Sequence, residues 1–284
     1  MVGINLQEGE LLPMDRRVIS PERCEDLAAD DNEALRLDIN RASFIVKKRN
    51  LAVAKSYKLG SLWLMLDPLL HSLVYLFVFT VIRYRTNPGS VMIGLALIRG
   101  LQQCLVYGAT SNMDFTAGIK IERIRSRAII FSEILHIGNI SFHLSIGTVL
   151  VVLFLDASYW IIPLFPIICI MNGLVWYSLG RMMSPLVKRI PDFKNVVSYI
   201  AMLMFFVSPA LYPLDQTEGF HRTFCLYNPF TFFSEPARAI AFGEEGFRLL
   251  DMQITAAVSL LLMVSFFYGL ALIDKQRWRY STWE

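Results

Sequence analysis

Residues 160–180 read WIIPLFPIICIMNGLVWYSLG, and no Asp, Glu, Lys or Arg interrupts the run. A helix that crosses the hydrocarbon core of a bilayer needs roughly 20 consecutive, mostly apolar residues. The run therefore predicts a membrane-spanning helix. Further stretches qualify at about 62–82, 91–111, 129–155, 196–213 and 253–273. The 129–155 stretch is long enough to tilt or to extend beyond the bilayer. The 91–111 stretch is the weakest, because Arg99, Gln102 and Gln103 lie inside it. Backbone groups in lipid must bond internally, which makes such runs helices. None of them alternates with period two, as barrel strands would. The expected fold is an all-α membrane protein with six transmembrane helices.

Composition points the same way. Of 284 residues, 55% are hydrophobic and 18% charged, against about 45–50% and about 25% in soluble domains. The remaining charge is clustered. Lys and Arg gather over 41–58, at Lys120, Arg123, Arg125 and Arg127, at Arg181, Lys188, Arg189 and Lys194, and at Lys275, Arg277 and Arg279. These groups occupy alternate connections. The opposite connections carry only Arg83 and Arg85, then none, then Arg222, Arg238 and Arg248. An excess of Lys and Arg marks the cytoplasmic side, so both termini are expected to be cytoplasmic. The expected location is the cytoplasmic membrane.

Residues 1–40 hold ten acidic and four basic residues and no long apolar period. Segment 1–41 reads as an acidic cytoplasmic extension, partly disordered, ahead of a transmembrane domain over 42–284; a tether for a partner is the alternative. The segment lacks the basic start and apolar run of a cleavable signal. Cys24, Cys104, Cys169 and Cys225 are far apart in sequence and form no CxxC pair, so neither a zinc site nor a disulfide framework is expected.

Residues 42–61, ASFIVKKRNLAVAKSYKLGS, place Lys47, Lys48, Lys55 and Lys58 on one helical face and Ile45, Val46, Val53 and Tyr57 on the other; Phe44 and Leu51 break the pattern. This predicts an amphipathic helix over about 43–59 lying in the inner interface, its lysines near lipid phosphates. A plain positive flank of the first span is the alternative. Within that span, Asp67-Pro68 would bend the helix or begin it after an irregular turn.

No GxxxxGK[ST] loop, GxSxG or HExxH is present, so neither nucleotide binding by that loop nor hydrolase or zinc-protease chemistry has a motif behind it. No catalytic residues and no metal site are expected. Glu133, His136 and His143 share a helical face. Metal ligation, a proton relay and structural polar contact are the three readings, with Arg125 or Arg127 as partners for Glu133. Arg99 is costly in lipid and should face a polar cavity or a carboxylate. The connections 111–127 and 182–197 read as cytoplasmic.

Residues 227–243, YNPFTFFSEPARAIAFG, lie in the long connection 214–251 on the opposite side. Proline fits the first helical turn, so Pro229 and Pro236 predict two short helices, Pro229–Ser234 and Pro236–Phe242, in a re-entrant hairpin. An aromatic interfacial loop is the alternative. Glu235 and Arg238 are three apart and can pair within one helix.

Three stretches together resemble one family. YKLGSLWLMLDPLLHSLVYLFVF (57–79), VSPALYPLD (207–215) and YNPFTFFSEPARAIAFG are similar, in order and spacing, to the membrane subunits of type-2 ABC exporters, in the branch that exports capsular polysaccharide, O-antigen and teichoic acid. The chain departs from the family pattern at RIRSRAIIF and at KRIPDF. The resemblance implies a homodimer of six-span subunits above two cytoplasmic ATP-binding subunits, which would hold ATP and Mg; this chain would bind no cofactor of its own. It implies a gate helix at 43–59, with Lys47, Lys48, Lys55 and Lys58, and an ATPase-coupling helix at 118–127, with Lys120, Glu122, Arg123 and Arg125. It implies re-entrant helices at 215–243, with Asn228, Pro229, Glu235 and Arg238. Some members line their path with aromatics that stack on sugars. Trp63, Tyr75, Trp176, Tyr177, Phe205, Phe206 and Tyr212 are the candidates here. The cargo would be a lipid-linked glycan entering from the inner leaflet; nucleic acid is not an expected partner. An exporter of drugs or small lipids, and a proton-coupled secondary transporter using Glu133, His136 and His143, are the alternatives.

Overall fold

The computed structural model describes residues 31–56, 62–63, 66, 69–70, 73–74, 77–78, 87–114, 126–243, 253–254 and 256–268. Among these residues every regular element is helical. They are α1 (Asp31–Ser56), α2 (Pro88–Asp114), α3 (Ser126–Leu153), α4 (Ile161–Arg189), α5 (Phe193–Val207), α6 (Gly219–Tyr227) and α7 (Pro229–Phe242), then α8 (Ala256–Tyr268). A 3-10 turn, Leu214–Gln216, precedes α6. Helices α2, α3 and α4 are each long and apolar enough to cross a membrane; α5 and α8 are shorter apolar helices. The described positions of the expected first span are helical, and the rest of that span lies outside the described residues.

The span that looked weakest is the centre of the bundle. α2 packs against α3, α4, α5 and α7, and its residues from Val91 to Ile98 are buried throughout. Its polar side chains sit on a half-buried stripe, where the amide of Gln102 donates to the Ala201 carbonyl of α5 at 3.2 Å. Helix packing in membranes favours small residues, which let backbones approach. Gly180 of α4 shows why: a Cβ there would overlap the backbone oxygen of Leu105 on α2.

Several boundaries differ from the sequence reading, each through proline or a helix face. α4 continues to Arg189 and absorbs most of the segment read as the connection 182–197, with Pro185 in its interior. It stops where Ile190, extended at φ −131°, precedes Pro191. α5 then begins at Phe193, so this connection is a tight turn. α5 ends at Val207 rather than near 213, because Ser208 precedes Pro209 and is held extended at φ −85°, ψ 151°. At the other end, α1 is already helical at Asp31, the first described residue, and not only from about 43. The last turns of the acidic segment join that helix, with Asp38 buried beside Arg41.

Candidate functional site

Two charge clusters organise the bundle at opposite ends of α2. The first ties α1 to the spanning helices. α1 packs along α3, with Ala42 and Val46 buried and Lys47, Lys48, Phe44 and Leu51 exposed. The next basic residue, Arg49, turns inward. Both of its terminal nitrogens donate to Glu133 Oε1 of α3 at 3.2 Å, and one also donates to the Tyr107 hydroxyl of α2 at 2.5 Å. The Tyr177 hydroxyl of α4 donates to the second carboxylate oxygen at 3.1 Å. Glu133 thus joins four helices. Burial works against the Arg49 charge, but Glu133 and Tyr107 outweigh it and raise its pKa above the ordinary value.

This corrects the expected partner of Glu133. Arg127 is exposed at the start of α3, and six residues along a helix put two side chains on different faces. Arg125 lies outside the described residues. His136 packs its ring on Tyr107, centroids 4.9 Å apart, and His143 Nδ1 bonds to the Asn139 carbonyl of its own helix at 2.7 Å. Further along, Arg181, which the charge pattern assigns to the connection after α4, is buried within α4 and donates to Ser111 near the end of α2.

The second cluster lies at the other end of α2. The sequence reading placed a helix break at Pro236. The break falls instead at Asn228, between α6 and α7, and Pro236 is inside α7. Asn228 explains the position. Its Oδ1 caps α7 by accepting from the Phe230 amide at 3.1 Å, its Nδ2 donates to the Ser208 hydroxyl at 2.8 Å, and Pro229 fits the first helical turn. Gly243, at φ 66°, closes α7 in the left-handed conformation that glycine tolerates best. Glu235 and Arg238 pair at 2.6 Å, 3% and 1% exposed. Arg238 also donates to the carbonyls of Ser90 (3.2 Å), Pro209 (2.9 Å), Ala210 (2.8 Å) and Tyr212 (3.0 Å). One guanidinium therefore fastens α7 to the start of α2 and to the turn after α5. Beside it, the Tyr212 hydroxyl contacts His221 Nε2 at 2.7 Å. Burial pushes the Cys225 thiol up to about 11, helped by the Glu235 charge. Asn228, Pro229, Glu235 and Arg238 come together here as the frame of α6 and α7.

The candidate path aromatics scatter. Tyr177 is fully buried against Glu133, and Phe205 is buried, whereas Phe206 is 61% exposed on α5. Trp63 and Tyr212 are half-buried. Trp176 lines an apolar groove of about 440 Å³ with Leu179, Met204, Phe224 and Tyr227. Tyr75 and Lys58 lie outside the described residues, as do the Lys55 side chain and the coupling residues Lys120, Glu122, Arg123 and Arg125. Arg49 was missed as a site residue because its neighbours Lys47 and Lys48 share its charge; the paired hydroxyls of Tyr107 and Tyr177 are not signalled by spacing.

The family model described as ABC-2 type transporter matches residues 41–242. The chain belongs to the ABC-2 type transporter family. As an ABC-2 type transporter it is a multi-pass protein of the cytoplasmic membrane, a transport subunit that works with an ATP-binding subunit. It is 27% identical over 219 residues to the O-antigen export system permease protein RfbA of Myxococcus xanthus, covering 72% of this chain and 81% of the relative. Two proteins of the same name from Klebsiella pneumoniae are also similar. One is 27% identical over 65% of this chain and 74% of the relative; the other is 25% identical over 84% and 92%.

Proposed function

We propose that this ABC-2 type transporter is the permease subunit of an ATP-driven exporter of a cell-surface polysaccharide, with O-antigen as the nearest described cargo. The observation that carries this reading is the similarity, over most of the chain, to three permeases named for O-antigen export. The active assembly is two copies of this chain with two ATP-binding subunits, which hold ATP and Mg. The chain spans the membrane six times, with both termini cytoplasmic. α6 and α7 form a re-entrant pair at the external face, framed by Asn228 and the Glu235–Arg238 pair. α1 is the gate helix. Lys47 and Lys48, exposed on it, meet lipid phosphate together with Lys55 and Lys58, and a lipid-linked glycan enters there. The 118–127 segment, with Lys120, Glu122, Arg123 and Arg125, receives the ATP-binding subunit. Phe206 and Tyr212, with Trp63, stand nearest to a path between the two copies.

The test is deletion of the gene followed by analysis of surface and internal glycan. Loss of a polysaccharide from the surface, with accumulation inside and rescue by the intact gene, is the expected result. An unchanged glycan profile in the deletion strain overturns the cargo assignment. Purification from native membranes should bring an ATP-binding subunit with the chain.

A further inference from the structure

We propose that Arg49 and Glu133 form a reversible clasp that sets the position of α1, so that Arg49 is a positioning residue for transport rather than a fixed strut of the fold. This rests on the reading of α1 as a moving gate helix.

Two features of the geometry separate this pair from a permanent one. Arg49 is 25% exposed while Glu133 is 2% exposed, so the guanidinium reaches solvent from one side. Leaving Glu133 would return it to water beside Lys47 and Lys48, both exposed on α1. Glu133 would not then be stranded. The Tyr177 hydroxyl already donates to it at 3.1 Å. The Tyr107 hydroxyl accepts from Arg49 at 2.5 Å and lies within hydrogen-bond reach of the same carboxylate, so it can stay with Glu133 once Arg49 departs. A buried carboxylate needs hydrogen-bond partners, and two phenols supply them in the open state. Each half of the clasp has other polar partners when the pair is apart, as a two-state element needs. Among the described residues, the pair links α1 to α3 beside the buried apolar contacts of Ala42 and Val46.

The test measures the position of α1 directly in the complete complex with its ATP-binding subunits. Spin labels are placed at Phe44→Cys on α1 and Asn195→Cys at the start of α5, both exposed, in a chain whose native cysteines are replaced. One narrow distance is expected without nucleotide, with a second population appearing in ATP. Arg49→Gln and Glu133→Gln should each populate the second distance without ATP. The exchanged pair, Arg49→Glu with Glu133→Arg, should restore the first distance. The proposal is overturned if either single variant keeps the narrow distance, or if the exchanged pair folds but leaves α1 displaced. It is also overturned if ATP leaves the distance unchanged, since the pair is then a static strut. These distances do not depend on which cargo moves, so a wrong cargo assignment leaves the outcome intact, and glycan analysis reads that assignment separately. In export assays, the single variants should lose transport at least tenfold while the complex still hydrolyses ATP.

Discussion

Two arginines meet two glutamates at opposite ends of this bundle, and their surroundings differ. Arg238 is sealed: it is 1% exposed, paired with Glu235, and donates to four backbone carbonyls from two segments. Arg49 is 25% exposed, reaches solvent from one side, and bonds to the side chains of Glu133 and Tyr107. Removing one member of a buried pair leaves an uncompensated charge, whereas a pair beside solvent can separate at much smaller cost. The difference assigns a fixed role to the α7 end of the molecule and a movable one to the α1 end.

The comparison breaks most readily at Arg238. Arg238→Ala leaves Glu235 buried without its partner and four carbonyls without a donor. A loss of about 3–5 kcal/mol is expected, read as a large drop in thermal midpoint or in yield of folded protein from membranes. If Arg238→Ala matched Arg49→Ala in stability, the contrast would fail. Gly94 tests the same end through packing. A Cβ there would overlap the Ala210 carbonyl and the Arg238 guanidinium, so Gly94→Val should cost about 1–3 kcal/mol by overpacking, measured by thermal unfolding in the same detergent. Asn228→Ala removes the α7 cap and the bond to Ser208. About 0.5–2 kcal/mol is expected, with faster backbone hydrogen exchange confined to the start of α7. Smallest is Lys47→Gln on the exposed face of α1. It should leave stability within about 0.5 kcal/mol of the native chain and weaken binding to vesicles containing anionic lipid, an effect that vanishes at high salt.

How much of this was legible beforehand varies with the type of signal. The apolar runs at 129–155 and 160–180 announced α3 and α4, because hydrocarbon imposes a length on every crossing helix. The Glu235–Arg238 pair was legible for a similar reason: a spacing of three on one helix brings two side chains together wherever that helix sits. The α6–α7 break was misplaced. Pro229 and Pro236 look alike in sequence, yet only Pro229 has an asparagine before it whose side chain reaches both Phe230 and Ser208. The partner of Glu133 was missed altogether, since Arg49 lies on another helix and no local rule connects them.

The sequence by itself determined that the chain is helical and membrane-embedded, and where α2, α3 and α4, each long and apolar enough to cross, lie. Those properties follow from local hydrophobicity and from the obligation of backbone groups to bond within a helix. It also carried the three stretches that mark the family. Only the tertiary structure decided that the most polar span is the bundle centre, that Tyr177 belongs to a buried hydroxyl–carboxylate cluster, and that Arg49 rather than Arg127 answers Glu133. Each of those depends on which helix faces which, set by close backbone approaches at residues such as Gly180, and a one-dimensional pattern does not encode that choice.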